Sequence, residues 1–181
     1  MSEDINSLVI MADMREQRSK VCGHLEKSQK VVVKYVDLAI GDYICGPGVA
    51  VERKESIDFI NSIIDNRLFR QVRFLKVEYA RPIIIIEGDI FHTHSQISPS
   101  ALIGAISYIS VIEGISVIHT YDTQQTAQML ETMTRHSQQG PGFESVARVF
   151  SATEKELCEV PGIEEKTASR IHEILHFPYE Y

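Results

Sequence analysis

The chain has 181 residues, of which 44% are hydrophobic and 24% charged, and 25 acidic against 18 basic side chains leave a net charge of −7. That is room for one domain, or one domain with a small appendix, and the composition is too ordinary for a disordered or collagen-like chain. The negative balance argues against a passive nucleic-acid coat and leaves open a protein that concentrates its cations locally.

No apolar run approaches the roughly 18–20 residues needed to span a bilayer, so no membrane role is expected. Ser2, Glu3 and Asp4 are wrong for a secretory signal. Cys22, Cys45 and Cys158 are scattered and form no Cys-x-x-Cys pair, which excludes a disulfide framework or zinc finger. The expectation is an intracellular protein, in the cytoplasm or nucleoid of a prokaryote or the nucleus of a eukaryote.

In chain order, residues 5–12 read as a first strand ending at the polar group Asp13-Met14-Arg15-Glu16, and residues 18–27 as a helix. The β-branched run over residues 30–37 predicts a second strand. Gly46-Pro47-Gly48 is a turn between two arms that carry Asp42 and Glu52, so a hairpin is expected, with residues 49–54 as its second strand. Ile57, Ile60, Ile63 and Ile64 then switch to helical spacing, with Ser56 as N-cap, and Leu68, Val72, Leu75 and Tyr79 continue as a second helix. Residues 82–87 are a fully apolar run and read as a buried strand. A helix over 98–112, a strand over 115–119 and a helix over 123–135 complete the pattern. Strands followed by alternating helix and strand imply an α/β fold with a central mixed sheet flanked by helices, over residues 1–138.

Residues 137–142 have the composition of a linker. Beyond it only helical patterns follow, over 143–150, 153–159 and 164–175. This makes residues 143–181 a small all-α tail, too short to hold much core of its own.

The chemistry is concentrated in one stretch. On a strand, Glu52 and Lys54 share a face while Arg53 points away, and the hairpin brings Asp42 to the neighbouring strand. Asp58 falls in the first turn of the next helix, and Asp13 ends strand one at the same sheet edge. Two carboxylates beside a lysine form a hard-cation site: Mg²⁺ or Mn²⁺ takes one or two carboxylates and draws further oxygens from phosphate and water. Such a cation activates water and stabilises charge developing on phosphorus, while Lys54 orients the water or neutralises phosphoryl oxygens. Metal-assisted phosphodiester hydrolysis is the reaction this grouping suits.

Gly41-Asp42-Tyr43 followed by Val51-Glu52-Arg53-Lys54 and Asp58 resembles the GD…ERKxxxD signature of the XPF family of structure-selective DNA endonucleases. The resemblance extends to Asp13-Met14-Arg15-Glu16, to Asn66-Arg67-Leu68-Phe69-Arg70-Gln71 and to Ile85-Ile86-Glu87-Gly88. It implies a restriction-endonuclease-like core in which Asp42 and Glu52 bind Mg²⁺ or Mn²⁺ and Lys54 is catalytic. By the same resemblance Asp13, Arg15, Arg53 and Asp58 match further positions lining the site. The implied substrate is branched DNA such as 3′ flaps and forks. A homodimer or heterodimer through core and tail is also implied, with any helicase or sliding clamp acting in trans.

Arg67, Arg70, Arg73 and Lys76 recur every third residue, with Arg81 beyond, giving a local charge of +4 over residues 67–81. This is a basic ridge suited to phosphates, with Arg67 and Arg70 its firmest members and a merely solvated face the competing reading for the outer ones. In the tail, residues 157–168 resemble one helix-hairpin-helix, whose Gly162 turn would present backbone N–H groups to a phosphate. A complete second hairpin has little room before it. Glu164 stands where a second hairpin glycine is usual, and the stretch from Phe143 to Tyr181 carries a local charge of −4. Dimerisation through apolar faces is therefore as good a role for the tail as DNA contact, and the alternative for the whole chain is a DNA-binding repair subunit that positions a partner nuclease. His92 and His94 read as surface residues, and Tyr108 and Tyr121 as packing groups.

Overall fold

The computed structural model describes residues 8–93, 95, 97–138, 151–160 and 163–175. They fall into two units, residues 1–138 and 139–181.

The first unit is a mixed six-stranded sheet. Its strands are β1 (Val9–Asp13), β2 (Val32–Val36), β3 (Tyr43–Gly46), β4 (Val49–Glu55), β5 (Arg81–Glu87) and β6 (Ser116–Thr120). They lie in the order β2-β1-β3-β4-β5-β6. The β3–β4 hairpin is antiparallel, as is its pairing with β1, whereas β1–β2, β4–β5 and β5–β6 are parallel. The hairpin turns at Pro47-Gly48, where Gly48 takes a φ of +71° that an L-residue resists.

The helices are α1 (Lys20–Ser28), α2 (Ser56–Ile64), α3 (Arg67–Glu78), α4 (Pro99–Ser107) and α5 (Thr123–Gln138). Strand alternation sends the two sets of apolar side chains to opposite sides of the sheet. On one side Ile10, Ala12, Tyr43, Val51 and Ile85 pack against Val21 and Leu25 of α1 and Ala127 and Leu130 of α5. On the other, Ile84 and Ile86 pack against Phe59 and Ile60 of α2, Leu68 and Val72 of α3 and Leu102 of α4. The central run Ile84–Ile86 is fully buried because both faces are covered.

Several element ends differ from the sequence expectation for local reasons. A short 3-10 turn over Met14–Arg18 precedes α1, which is capped by Ser19 through Cys22 N–H. Ser56 is the first residue of α2, not its cap: Glu55 holds that position without a side-chain cap bond, since β4 runs straight into the helix. The helix expected over 98–112 is α4 followed by a π-helical turn at Tyr108–Ile112. Helix α5 continues past the expected linker start to Gln138. There Ser137 Oγ and Gln138 Nε2 donate to the Cys45 carbonyl at 2.8 and 2.9 Å. Gly46 lies directly under that helix end: a Cβ there would stand 2.6 Å from Ser137 Oγ.

In the second unit, α6 (Glu154–Cys158) and α7 (Glu165–Leu175) bury Ala152, Leu157 and Ala168 against Cys158, Ile163 and Ile171. Thr153 caps α6 reciprocally with Glu156. The helix expected over 143–150 and the turn glycine Gly162 lie outside the described residues.

Candidate active site

The site begins with strand register. Tyr43 opposite Val51 places Asp42 opposite Glu52, and Asp42 N–H donates to the Val51 carbonyl at 2.8 Å. Gly41 precedes it with a φ of +86°, a turn of the chain that glycine takes without strain. On the outer side, Asp13 N–H donates to the Asp42 carbonyl at 2.8 Å. Asp13, Asp42 and Glu52 thus stand in a row on β1, the start of β3 and β4. The pleat puts Glu52 and Lys54 on the α2–α3 side of the sheet.

The three acids are not equivalent. Asp13 is buried and saturated: its carboxylate accepts from Arg15 N–H at 2.9 Å, from Arg15 Nε and from Leu38 N–H at 2.9 Å. The Arg15 guanidinium holds its pKa down to about 2 against the effect of burial. Asp13 is therefore a fixed anion that caps the 3-10 turn and anchors Arg15. The guanidinium of Arg15 also lies in the fields of Asp42 and Glu52.

Glu52 is 6% exposed; its Oε1 accepts from Gln71 Nε2 at 3.0 Å and lies 3.2 Å from Lys54 Nζ in an ion pair. Asp42 Oδ2 accepts from Arg53 N–H at 2.7 Å. Burial first, and the neighbouring Glu52 charge second, push the Asp42 carboxyl up to about 7. Two acids this close do not ionise together cheaply, and a cation between them removes the conflict.

The donor set fits a hard divalent cation. Among the described residues Glu52 Oε2 and Asp42 Oδ1 make no hydrogen bond, and Gln71 Oε1 is buried with no hydrogen-bond partner. Those are three oxygens from two carboxylates and an amide. Among the described residues no three His, Cys, Asp or Glu side chains group as a metal site. Mg²⁺ suits such a set, since it takes one or two carboxylates and keeps room for water and phosphate.

Lys54, 2% exposed, is held between Glu52 and Asp58, whose Oδ2 is 3.5 Å from Nζ. Asp58 Oδ1 also accepts from Arg67 at 3.2 Å, and Arg67 bonds Asp65 at 2.7 Å. Glu52, Lys54, Asp58 and Arg67 therefore form a continuous chain of alternating charge along β4, α2 and α3.

Arg53 lies elsewhere. Its guanidinium is on the α1–α5 side, bonded to Glu87 at 2.6 and 3.0 Å and to Glu55 at 3.0 Å, and Glu87 accepts from Thr126 Oγ1 at 2.6 Å. Only the Arg53 backbone N–H reaches the acids. The resemblance had grouped its side chain with the site lining, whereas strand alternation had turned it away, and alternation decides.

The basic ridge on α3 is divided by its partners. Arg67 is taken by Asp58 and Asp65; Arg73 bonds Tyr108 Oη at 3.4 Å and lies 3.8 Å from Glu113, which also takes Lys76 at 3.3 Å. Arg81 donates to the Pro47 carbonyl. Arg70 is exposed and makes no hydrogen bond or ion pair among the described residues. Of the other aromatic and histidine expectations, Tyr108 does pack, edge-on to Phe69 with centroids 5.5 Å apart. Tyr121 does not: it is 87% exposed. His92 is a surface residue bonded to Asp89, and His94 lies outside the described residues.

Sequence reasoning did not single out Gln71 or Glu87, although both lie in the segments that carry the resemblance. For Gln71 the available signal is its place one helical turn after Arg67 on α3, near the residue that meets Asp58.

Comparison with known proteins bears on the whole chain. The family model described as the ERCC4 domain matches residues 12–133, which contain every residue of the site. The chain belongs to the ERCC4-domain family. Residues 137–176 match a second model, the SAM-like helix-hairpin-helix tandem, so the tail corresponds to a tandem where one hairpin was legible. Among ERCC4-domain relatives, the 3′-flap repair endonuclease Xpf of Saccharolobus solfataricus is 32% identical over 72% of this chain and 56% of its own length. A longer Methanocaldococcus jannaschii protein, named for an ATP-dependent RNA helicase, is 30% identical over 94% of this chain and 26% of its own. The chain thus spans about half and about a quarter of these two relatives. XPF from Aeropyrum pernix superposes with a TM-score of 0.68 at 33% identity, over 95% of this chain and all of the other. Its complex with DNA gives 0.69 at 32%, over 94% and 99%.

Proposed function

We propose that the chain is a divalent-metal-dependent DNA endonuclease that hydrolyses phosphodiester bonds in branched DNA, 3′ flaps and forks, in repair or recombination. The observation that carries this reading is the acid pair of half-buried Asp42 and buried Glu52, facing each other across β3 and β4 with Lys54 ion-paired to Glu52. The names of the Saccharolobus relative and the Aeropyrum DNA complex support the substrate class.

Asp42 and Glu52 would hold Mg²⁺ or Mn²⁺. When bound, the ion supplies Lewis-acid stabilisation of charge on phosphorus and makes water easier to deprotonate. Lys54 Nζ, fixed by Glu52 and Asp58, places a positive charge beside that centre, to bond a phosphoryl oxygen or orient the attacking water. Asp58 positions Lys54, and Arg67 balances Asp58. Asp13 holds Arg15 at the rim, and the Arg53 backbone N–H fixes the rotamer of Asp42 while its side chain locks β4 to β5. Among the described residues of the α3 ridge, Arg70 is the cation free to meet a backbone phosphate, and Gly162 in the tail is assigned to a second phosphate contact. Pairing with a second subunit through core and tail, a helicase or clamp in trans, and a location inside the cell with its DNA complete the reading.

The test is a substrate panel of labelled 3′-flap, fork, nicked and linear duplex DNA with Mg²⁺, Mn²⁺ or EDTA. Metal-dependent cutting of flap or fork above linear duplex is expected. Equal cutting of every substrate would remove the branched-DNA preference. No cutting by the folded protein with metal would leave the partner-positioning subunit as the function.

A further inference from the structure

The unpartnered oxygen of Gln71 is the one buried side-chain acceptor among the described residues with nothing to accept. An orphaned polar atom of this kind costs free energy unless a ligand completes it. Its orientation is determined by its neighbour. The same amide donates Nε2–H to Glu52 Oε1 at 3.0 Å, and the reverse orientation would set a carbonyl oxygen against a carboxylate. With the N–H side committed to Glu52, the C=O side of the same amide is left next to that bond, free and buried.

We propose that Gln71 completes the cation site: its carbonyl oxygen is a third oxygen for the divalent ion, directly or through a water of its shell, while its N–H₂ group fixes Glu52. This rests on the metal-site reading given above. Three facts converge on it. Glu52 Oε1 is occupied twice, by Lys54 and Gln71, which leaves Oε2 for the ion. Asp42 Oδ2 is likewise occupied by Arg53 N–H, which leaves Oδ1. And two carboxylates leave most positions around a hard cation open, where a neutral amide oxygen adds a hard donor without adding charge. An amide that both ligates and orients a neighbouring carboxylate belongs to the outer support that tunes metal affinity.

The experiment is a titration of the full chain with Mn²⁺ alone, without DNA, read by the free-Mn²⁺ EPR signal and by the Mn²⁺-induced gain in Tm. Gln71→Leu keeps the side-chain bulk and removes both amide atoms; Gln71→Glu keeps an acceptor oxygen and removes the donor. Mn²⁺ affinity should fall by about 10-fold or more in Gln71→Leu. In Gln71→Glu it should be retained or tightened, with a larger gain in Tm than wild type shows. Two outcomes overturn the proposal: Gln71→Leu binding Mn²⁺ within twofold of wild type, or Gln71→Glu losing affinity as Gln71→Leu does. The second variant decides the matter even where the first fails to fold. Wild type that binds no Mn²⁺ is a distinct result, which removes the metal-site reading itself and the role of Gln71 with it.

Discussion

Replacing Asp42 with asparagine separates the cost of the crowded acid pair from its use. The carboxyl sits at about 7 where 3.8 is ordinary, so between those values the folded chain holds a proton that the unfolded chain has released. The stability of the metal-free protein therefore falls as pH rises through that window, and the cost persists above it. A gap of about three pH units corresponds to at most about 4 kcal/mol. Asparagine retains an oxygen for the Arg53 N–H, so the 2.7 Å bond survives the change. In EDTA at pH 8 we expect Asp42→Asn to be more stable than wild type by about 1–4 kcal/mol, and the two to converge near pH 4. Urea unfolding at pH 4, 6 and 8 measures this, and repeating it with Mn²⁺ should reverse the order, since only wild type gains from the ion. An Asp42→Asn protein less stable than wild type at pH 8 in EDTA would refute the reasoning, because the carboxylate would then be stabilised in the fold.

The other predictions concern the two faces of the sheet and the ridge. Glu87→Ala leaves the Arg53 guanidinium, which is 10% exposed, with only the exposed Glu55 as partner, and should cost about 3 kcal/mol in urea unfolding while leaving Mn²⁺ affinity unchanged; a matching loss of metal binding would show that the faces are coupled. Arg70→Ala should weaken flap-DNA binding uniformly and lower the salt dependence by about one counterion. Arg73→Ala, whose charge already faces Glu113, should change that slope less, and an equal effect of the two would mean the ridge acts as a whole.

Much of the site is visible in the chain because it depends on local geometry. A hairpin with its turn at Pro47-Gly48 sets Asp42 opposite Glu52, and the two-residue period of β4 then settles which of Glu52, Arg53 and Lys54 point together. What was not legible depends on how helices land. Gln71 reaches Glu52 across 19 residues, and its approach is set by the α2–α3 corner, where Asn66 takes a left-handed φ of 57°. The neutralisation of Arg73 and Lys76 depends on Glu113 at the end of a π-helical turn, more than thirty residues away in sequence. Local pattern favoured a continuous ridge; tertiary partners left Arg70 as its open member. Tyr121 carries the same lesson, since an aromatic directly after a strand reads as packing and here points into solvent.

Incision of a single labelled 3′-flap by wild type and Lys54→Ala, with Mn²⁺ and at equal occupancy of the DNA, tests the central claim most directly. Lys54 is the buried side-chain cation 3.2 Å from Glu52, so the account predicts a rate loss of about 10²–10³-fold with DNA affinity retained. Undiminished cutting by Lys54→Ala, or wild-type cutting that persists in EDTA, would contradict it.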